Sequence, residues 1–168
     1  MTTAPLPYMQ RMREYYLALG YNNPYQWAHF AGVPFQPLRK SVSQSNLGLV
    51  TTAAPFKPDA GDQGPGAPYN AAAKFYRVYA ANASKDDFLG ISHVSYDRNY
   101  STAEDINSYF PLQALRQAQS QGLVGSLAPR YYGLPTNRSQ ATTQDQDCTE
   151  LLAMLQEDEV DLAILVAN

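Results

Sequence analysis

Hydrophobic positions recur along the chain with two different periods. Between Pro7 and Leu19 the residues Met9, Met12, Tyr16 and Leu19 fall three or four apart, the spacing of one helix face, and Gly20 supplies a stop. Leu47 to Ala53 (LGLVTTA) is a short apolar run and predicts the first strand. Phe75 to Ala80 (FYRVYA) alternates aromatic and polar residues and predicts a second, and Phe88 to Val94 (FLGISHV) a third. The helical period returns from about Pro111 to Gly122, with proline in a first turn where its missing N–H costs nothing. Just before it, Ser101 and Glu104 have the spacing of a capping box. Leu123 to Leu127 reads as a short strand. Asp147 to Asp158 reads as the last helix, with Cys148, Leu151, Leu152 and Leu155 on one face. From Val160 the apolar run DLAILVAN reads as a final strand buried on both faces.

Strands alternating with helices predict an α/β fold, a three-layer, mostly parallel sheet with flanking helices. Proline and glycine mark what lies between. Residues 1–46 form a helical and irregular N-terminal segment, in which NNPYQWAHFAGVPFQPL packs through Tyr25, Trp27, Phe30 and Phe35. The stretch APFKPDAGDQGPGAPYN is a long loop fed directly by the first strand, so it is either an active-site lid or a surface excursion. APRYYGLPTNRSQATTQ reads as a polar loop carrying two arginines.

A length of 168 residues suits one α/β domain, 1–168, with a sizeable core. The net charge of −3 argues against a nucleic-acid surface, which needs clustered Lys and Arg. No apolar stretch reaches the roughly 18 residues of a membrane span, and the N-terminus lacks the basic start and apolar region of a secretory signal. With Cys148 as the single cysteine there is no internal disulfide. These features place the chain in the cytoplasm.

In open α/β sheets, ligands sit beyond the carboxyl ends of the strands. Thr51 and Thr52 end the first strand, where hydroxyls and backbone N–H groups hold a carboxylate or phosphate, although β-branched residues are also ordinary in strands. His93 ends the third, with Asp97 close behind; it is a base or carboxylate ligand, or a histidine capping its own loop. Arg130 and Arg138 offer planar forks that suit a carboxylate. Cys148 reads as a core residue rather than a nucleophile, because it falls on an apolar stripe. His29 reads as a packed, hydrogen-bonded histidine, and the acids Glu157 to Glu159 as solvated. No Cys/His cluster has metal-ligand spacing.

Taken in order, LVTTAAPF, GISHVSYDRN, EDINSYFPLQALRQAQSQGLVGSLAPRYYGLPTNRSQ and VDLAILVAN resemble the glycine/sarcosine/betaine reductase selenoprotein B family, which includes the corresponding D-proline reductase subunit. The likeness covers about residues 24 to 168 and includes PYQWAHFAGVPFQPL. It implies reductive cleavage of a C–N bond in a small amino-acid-type substrate, by a selenol or thiol that other thiols then reduce. It further implies partner reductase subunits, some carrying a pyruvoyl group, and no cofactor bound by this chain.

In that family the strand matching VDLAILVAN runs into a selenocysteine or cysteine, followed by Pro-Val-Cys-His or a similar motif. The resemblance therefore implies a selenocysteine just after Asn168, encoded by a UGA read as stop, with a deliberate or proteolytic truncation as the alternative; either leaves the C-terminal part of the fold missing and this chain alone inactive. A helix starting there would favour the selenolate at its N-terminus. Thr51, Thr52, His93, Arg130 and Arg138 lie in matched segments and are the implied substrate-binding residues. The alternative is a non-catalytic subunit or small-carboxylate binding module that has lost the redox centre.

Overall fold

A computed structural model describes residues 7–22, 28–55, 78–85, 89–90, 105–135 and 139–167. The chain divides into two compact units, Met1–Phe35 and Gln36–Asn168. In the first, α1 spans Tyr8–Ala18 as the 3.6-residue period predicts, and Gly20 ends it with a φ of 87°. Phe30, Phe35 and His29 are exposed, not packed as expected, while Tyr25 and Trp27 lie outside the described residues.

The second unit is built on a mixed sheet. Its strands are β1 (Asn46–Thr51), β3 (Tyr79–Asn82), β5 (Ser126–Leu127), β6 (Arg130–Gly133) and β7 (Leu162–Val166). β1 is central and takes only parallel neighbours: β5 and then β6 along one side, β7 along the other. β3 runs antiparallel to β6 on its far side. Ala54–Pro55 (β2) and Leu89–Gly90 (β4) form a separate antiparallel ribbon. Between β5 and β6 the chain bulges, so that Gly48 and Leu49 face the four residues Ala128 to Tyr131.

Helices cover both faces, giving the three-layer α/β architecture. α2 (Leu112–Ser120) and the 3₁₀ turn Ile106–Ser108 pack on the face carrying Leu49 and Tyr131. Asp105 caps that turn by accepting the Asn107 N–H at 2.9 Å, and Gly122 ends α2 with a φ of 71°. The opposite face carries Val50 and Tyr132, and is covered by α4 (Cys148–Glu157) through Leu151, Met154 and Leu155. α3 (Gln140–Thr142) and a π turn (Thr143–Asp147) lead into α4 without a break.

Four expectations change. The expected polar loop contains β6, whose Tyr131 and Tyr132 are the largest fully buried side chains. Burying each stabilises the fold by about 3 kcal/mol, and Tyr131 adds edge contacts to Phe110 at 4.7 Å and Tyr79 at 6.1 Å. The inward stripe of the last helix is Asp147, Leu151, Met154 and Leu155, so Cys148, one residue out of phase, is exposed and not a core residue. Leu152, expected on the same face, is also exposed at 55%, so the buried face is turned toward Met154 while keeping an ordinary helical spacing. β7 is an edge strand among the described residues and is half exposed, with Leu165 at 67%. Finally, of the expected second and third strands, only Tyr79–Asn82 joins this sheet; residues 75–77 and 91–94 lie outside the described residues, as does the expected capping box at 101–104.

Candidate active site

The route of the chain defines where a ligand fits. From β1 the connection to β5 ends in α2 on one face, whereas from β6 the connection to β7 runs through α4 on the other. Neighbouring parallel strands whose connections leave to opposite faces open a crevice at their carboxyl ends. Here it lies past Thr51 and Gly133, which are paired in register. β7 ends at the same level, since Val166 pairs with Thr51 and its carbonyl accepts the Thr52 N–H at 3.2 Å.

The exit of β1 into this crevice is tightly held. The buried Thr51 hydroxyl donates to the Tyr109 carbonyl at 3.2 Å and accepts the Ala53 N–H at 3.0 Å. Both functions of that hydroxyl are internal, so Thr51 shapes the backbone here. Thr52 is half buried and lies at the mouth. On the neighbouring strand the Leu134 N–H donates to the Thr51 carbonyl at 2.9 Å, keeping the two exits together. Tyr79 closes one side: its ring lies across Gly133 and its hydroxyl donates to the Ala53 carbonyl at 2.9 Å. Any Cβ at Gly133 would fall inside that ring, which is why glycine stands there.

Arg130 is placed elsewhere. It starts β6 and reaches the C-terminal end of α4, which lies toward the amino ends of the parallel strands. Its Nε donates to Asp158 at 2.8 Å and its Nη2 to Glu157 at 2.6 Å. The Tyr132 hydroxyl donates to the same Asp158 carboxylate. Arg130 holds the Asp158 carboxyl below the usual carboxylate range, with Tyr132 adding to the effect and burial opposing it. Burial and the carboxylate together push the Tyr132 phenol up, and the two carboxylates push the Arg130 guanidinium up. The expected fork for a substrate carboxylate is thus engaged by the chain's own acids. Nor is Asp158 solvated as the acidic run implied: its side chain is 8% exposed, against 70% for Glu157.

His93 and Arg138 lie outside the described residues. Arg138 immediately precedes Ser139, whose side chain caps the α3–α4 helix by accepting the Thr142 N–H at 3.1 Å. Two surface grooves lie at the opposite end of the sheet, around Lys40, Val160 and Asp161. There the Asp161 carboxylate is bound by the Asn46 N–H at 3.0 Å and by Lys40 at 2.8 Å, which lower its pKa. Those contacts tie the chain across the amino ends of β1 and β7, away from the crevice. Sequence reasoning missed Tyr79, Gly133 and the buried Asp147; the alternation in FYRVYA was the one available signal, and it includes Tyr79.

Among the described residues no group of three acids, histidines or cysteines is arranged for a metal ion, and no helix is long and apolar enough to cross a membrane. The fold defines an α/β protein with a crevice at the carboxyl ends of its parallel strands. Comparison with known proteins makes this specific: residues 18–168 match the model of the glycine/sarcosine/betaine reductase selenoprotein B family, and the chain belongs to that family. It is similar to the D-proline reductase subunit gamma of Acetoanaerobium sticklandii, 30% identical over 135 residues, covering 79% of this chain and 52% of the relative. It is also similar to the glycine reductase complex component B subunit gamma of Symbiobacterium thermophilum, 24% identical over 152 residues, covering 88% of this chain and 34% of the relative. The chain thus spans about half the length of the first relative and a third of the second. No solved structure matches.

Proposed function

We propose that this chain forms the sheet and substrate crevice of an amino-acid reductase subunit of the selenoprotein B type. The reaction is reductive C–N cleavage of a small amino-acid-type substrate, with a selenol or thiol as the attacking group and a dithiol restoring it. The redox residue, selenocysteine or cysteine, follows Asn168. One observation carries this reading: β7, the strand that leads into the redox motif in the family, ends in register with Thr51. A residue just past β7 would emerge beside Thr52, on the side of β1 away from β6 and one strand across from the crevice.

In this reading Thr52 contacts the substrate, with His93 and Arg138 as further contacts. Arg138, just before a helix N-terminus, suits the substrate carboxylate on charge grounds. Arg130 acts from a distance, by fixing α4 against β6. The relatives are named as subunits, and we extend this to the present chain: it works with other reductase subunits, on one of which a pyruvoyl group is carried.

The test is dithiol-dependent C–N cleavage by the full-length protein with its partner subunits, read as released amine from glycine, sarcosine and betaine and as the ring-opened amino acid from D-proline. The reading predicts turnover of one of these and its loss when the redox residue is replaced by alanine. Binding of a substrate without turnover in the complete assembly would point instead to a small-carboxylate binding subunit.

A further inference from the structure

We propose that Tyr79 is a positioning residue for the substrate crevice, acting through Ala53 on Thr52; the inference rests on the crevice being the site. Three observations converge on it. The Tyr79 hydroxyl donates to the Ala53 carbonyl at 2.9 Å, while Ala53 itself is fully buried. The same residue's N–H is held by the Thr51 hydroxyl at 3.0 Å, so Ala53 is fixed from both of its backbone polar groups. Gly133 leaves the space that lets the Tyr79 ring lie flat across the end of β6 and reach β1's exit.

Thr52 sits between two residues, Thr51 and Ala53, whose backbone positions are set by these bonds. Its own N–H is aligned on Val166 of β7. Buried groups need hydrogen-bond partners, and that need alone would be met by any donor. Tyr79 does more, because it comes from β3, two strands away across β6, and so ties the mouth of the crevice to the rigid sheet. A side chain that must meet a substrate within a few tenths of an ångström needs such support from behind.

The experiment is a double-mutant cycle in the complete reductase assembly, using Y79F, which keeps the ring over Gly133 and removes the hydroxyl, together with T52A. Substrate KM and kcat are measured, with calorimetric Kd and the unfolding midpoint alongside. Y79F is expected to raise KM and Kd by about fivefold to tenfold, the weight of one hydrogen bond, with kcat little changed. In the T52A background, Y79F should add nothing to KM. Additive effects would make Tyr79 a purely structural residue and overturn the inference. So would a normal KM in Y79F when T52A raises it, and the crevice reading would then survive. If T52A also leaves KM and Kd unchanged, the crevice is not the site and both fall.

Discussion

Asp158 carries the most strongly connected polar group in the described sheet region, and its chemistry sets a direction for acid stability. Arg130, Tyr132 and burial act on it together, and the net effect lowers its pKa. The unfolded chain takes up this proton near the ordinary value of about 3.9, whereas the folded chain resists it. The stabilisation is therefore complete above that value and fades as pH falls through the folded pKa. D158N should cost about 1–3 kcal/mol near neutral pH and flatten the acid limb of stability, as read by urea unfolding across pH. An unchanged acid limb would show that Asp158 is not the linked group. Cys148 gives a second residue-scale test. Exposed on the outer face of α4, it should react with a thiol reagent in the native protein as fast as in urea, where a core cysteine would be protected.

At the scale of elements, the packing of β6 against β3 rests on one missing side chain. G133A must displace the Tyr79 ring, and a cost of about 1–3 kcal/mol in thermal or urea unfolding is expected, the usual result of overfilling a packed site. Elements with long, clean periods were legible from sequence: α1, β1, α2 and the course of the last helix all appear with ends within a few residues of expectation. β6 was not, because its four residues, set between two prolines, are too few to establish alternation, and Tyr131 and Tyr132 each serve a different face. Cys148 was misread because Asp147 and Cys148 both stand at helical spacing from Leu151 and Leu155, and apolarity alone favoured the cysteine where the fold buries the aspartate. Thr51 and Thr52 do stand at the end of β1, yet the inward role of the Thr51 hydroxyl depends on Tyr109, 58 residues along the chain and close only in the fold. Arg130 was chosen for its fork, and the fork is used, but by Asp158 and Glu157.

At the scale of the whole molecule, the most apolar of the described strands stands at an edge of the described sheet. Among the described residues β7 pairs on one side only, and Leu165 and Leu152 are more than half exposed. Such an edge invites pairing with another chain, since nothing charged interrupts LAILV. The 168-residue chain alone should associate with rising concentration on a sizing column, and L165K should reduce this with less than about 0.5 kcal/mol of change in stability. A dilution-independent monomer would remove the argument. In the proposed function a redox residue lies just past this strand, beside Thr52. The most direct measurement is the nucleotide sequence through the codon after Asn168 and the reading frame beyond it. The proposed function predicts a UGA or cysteine codon followed in frame by a cysteine-bearing segment such as Pro-Val-Cys. A UAA or UAG with no coding frame behind it would contradict that function, and leave a family member built to bind rather than to reduce.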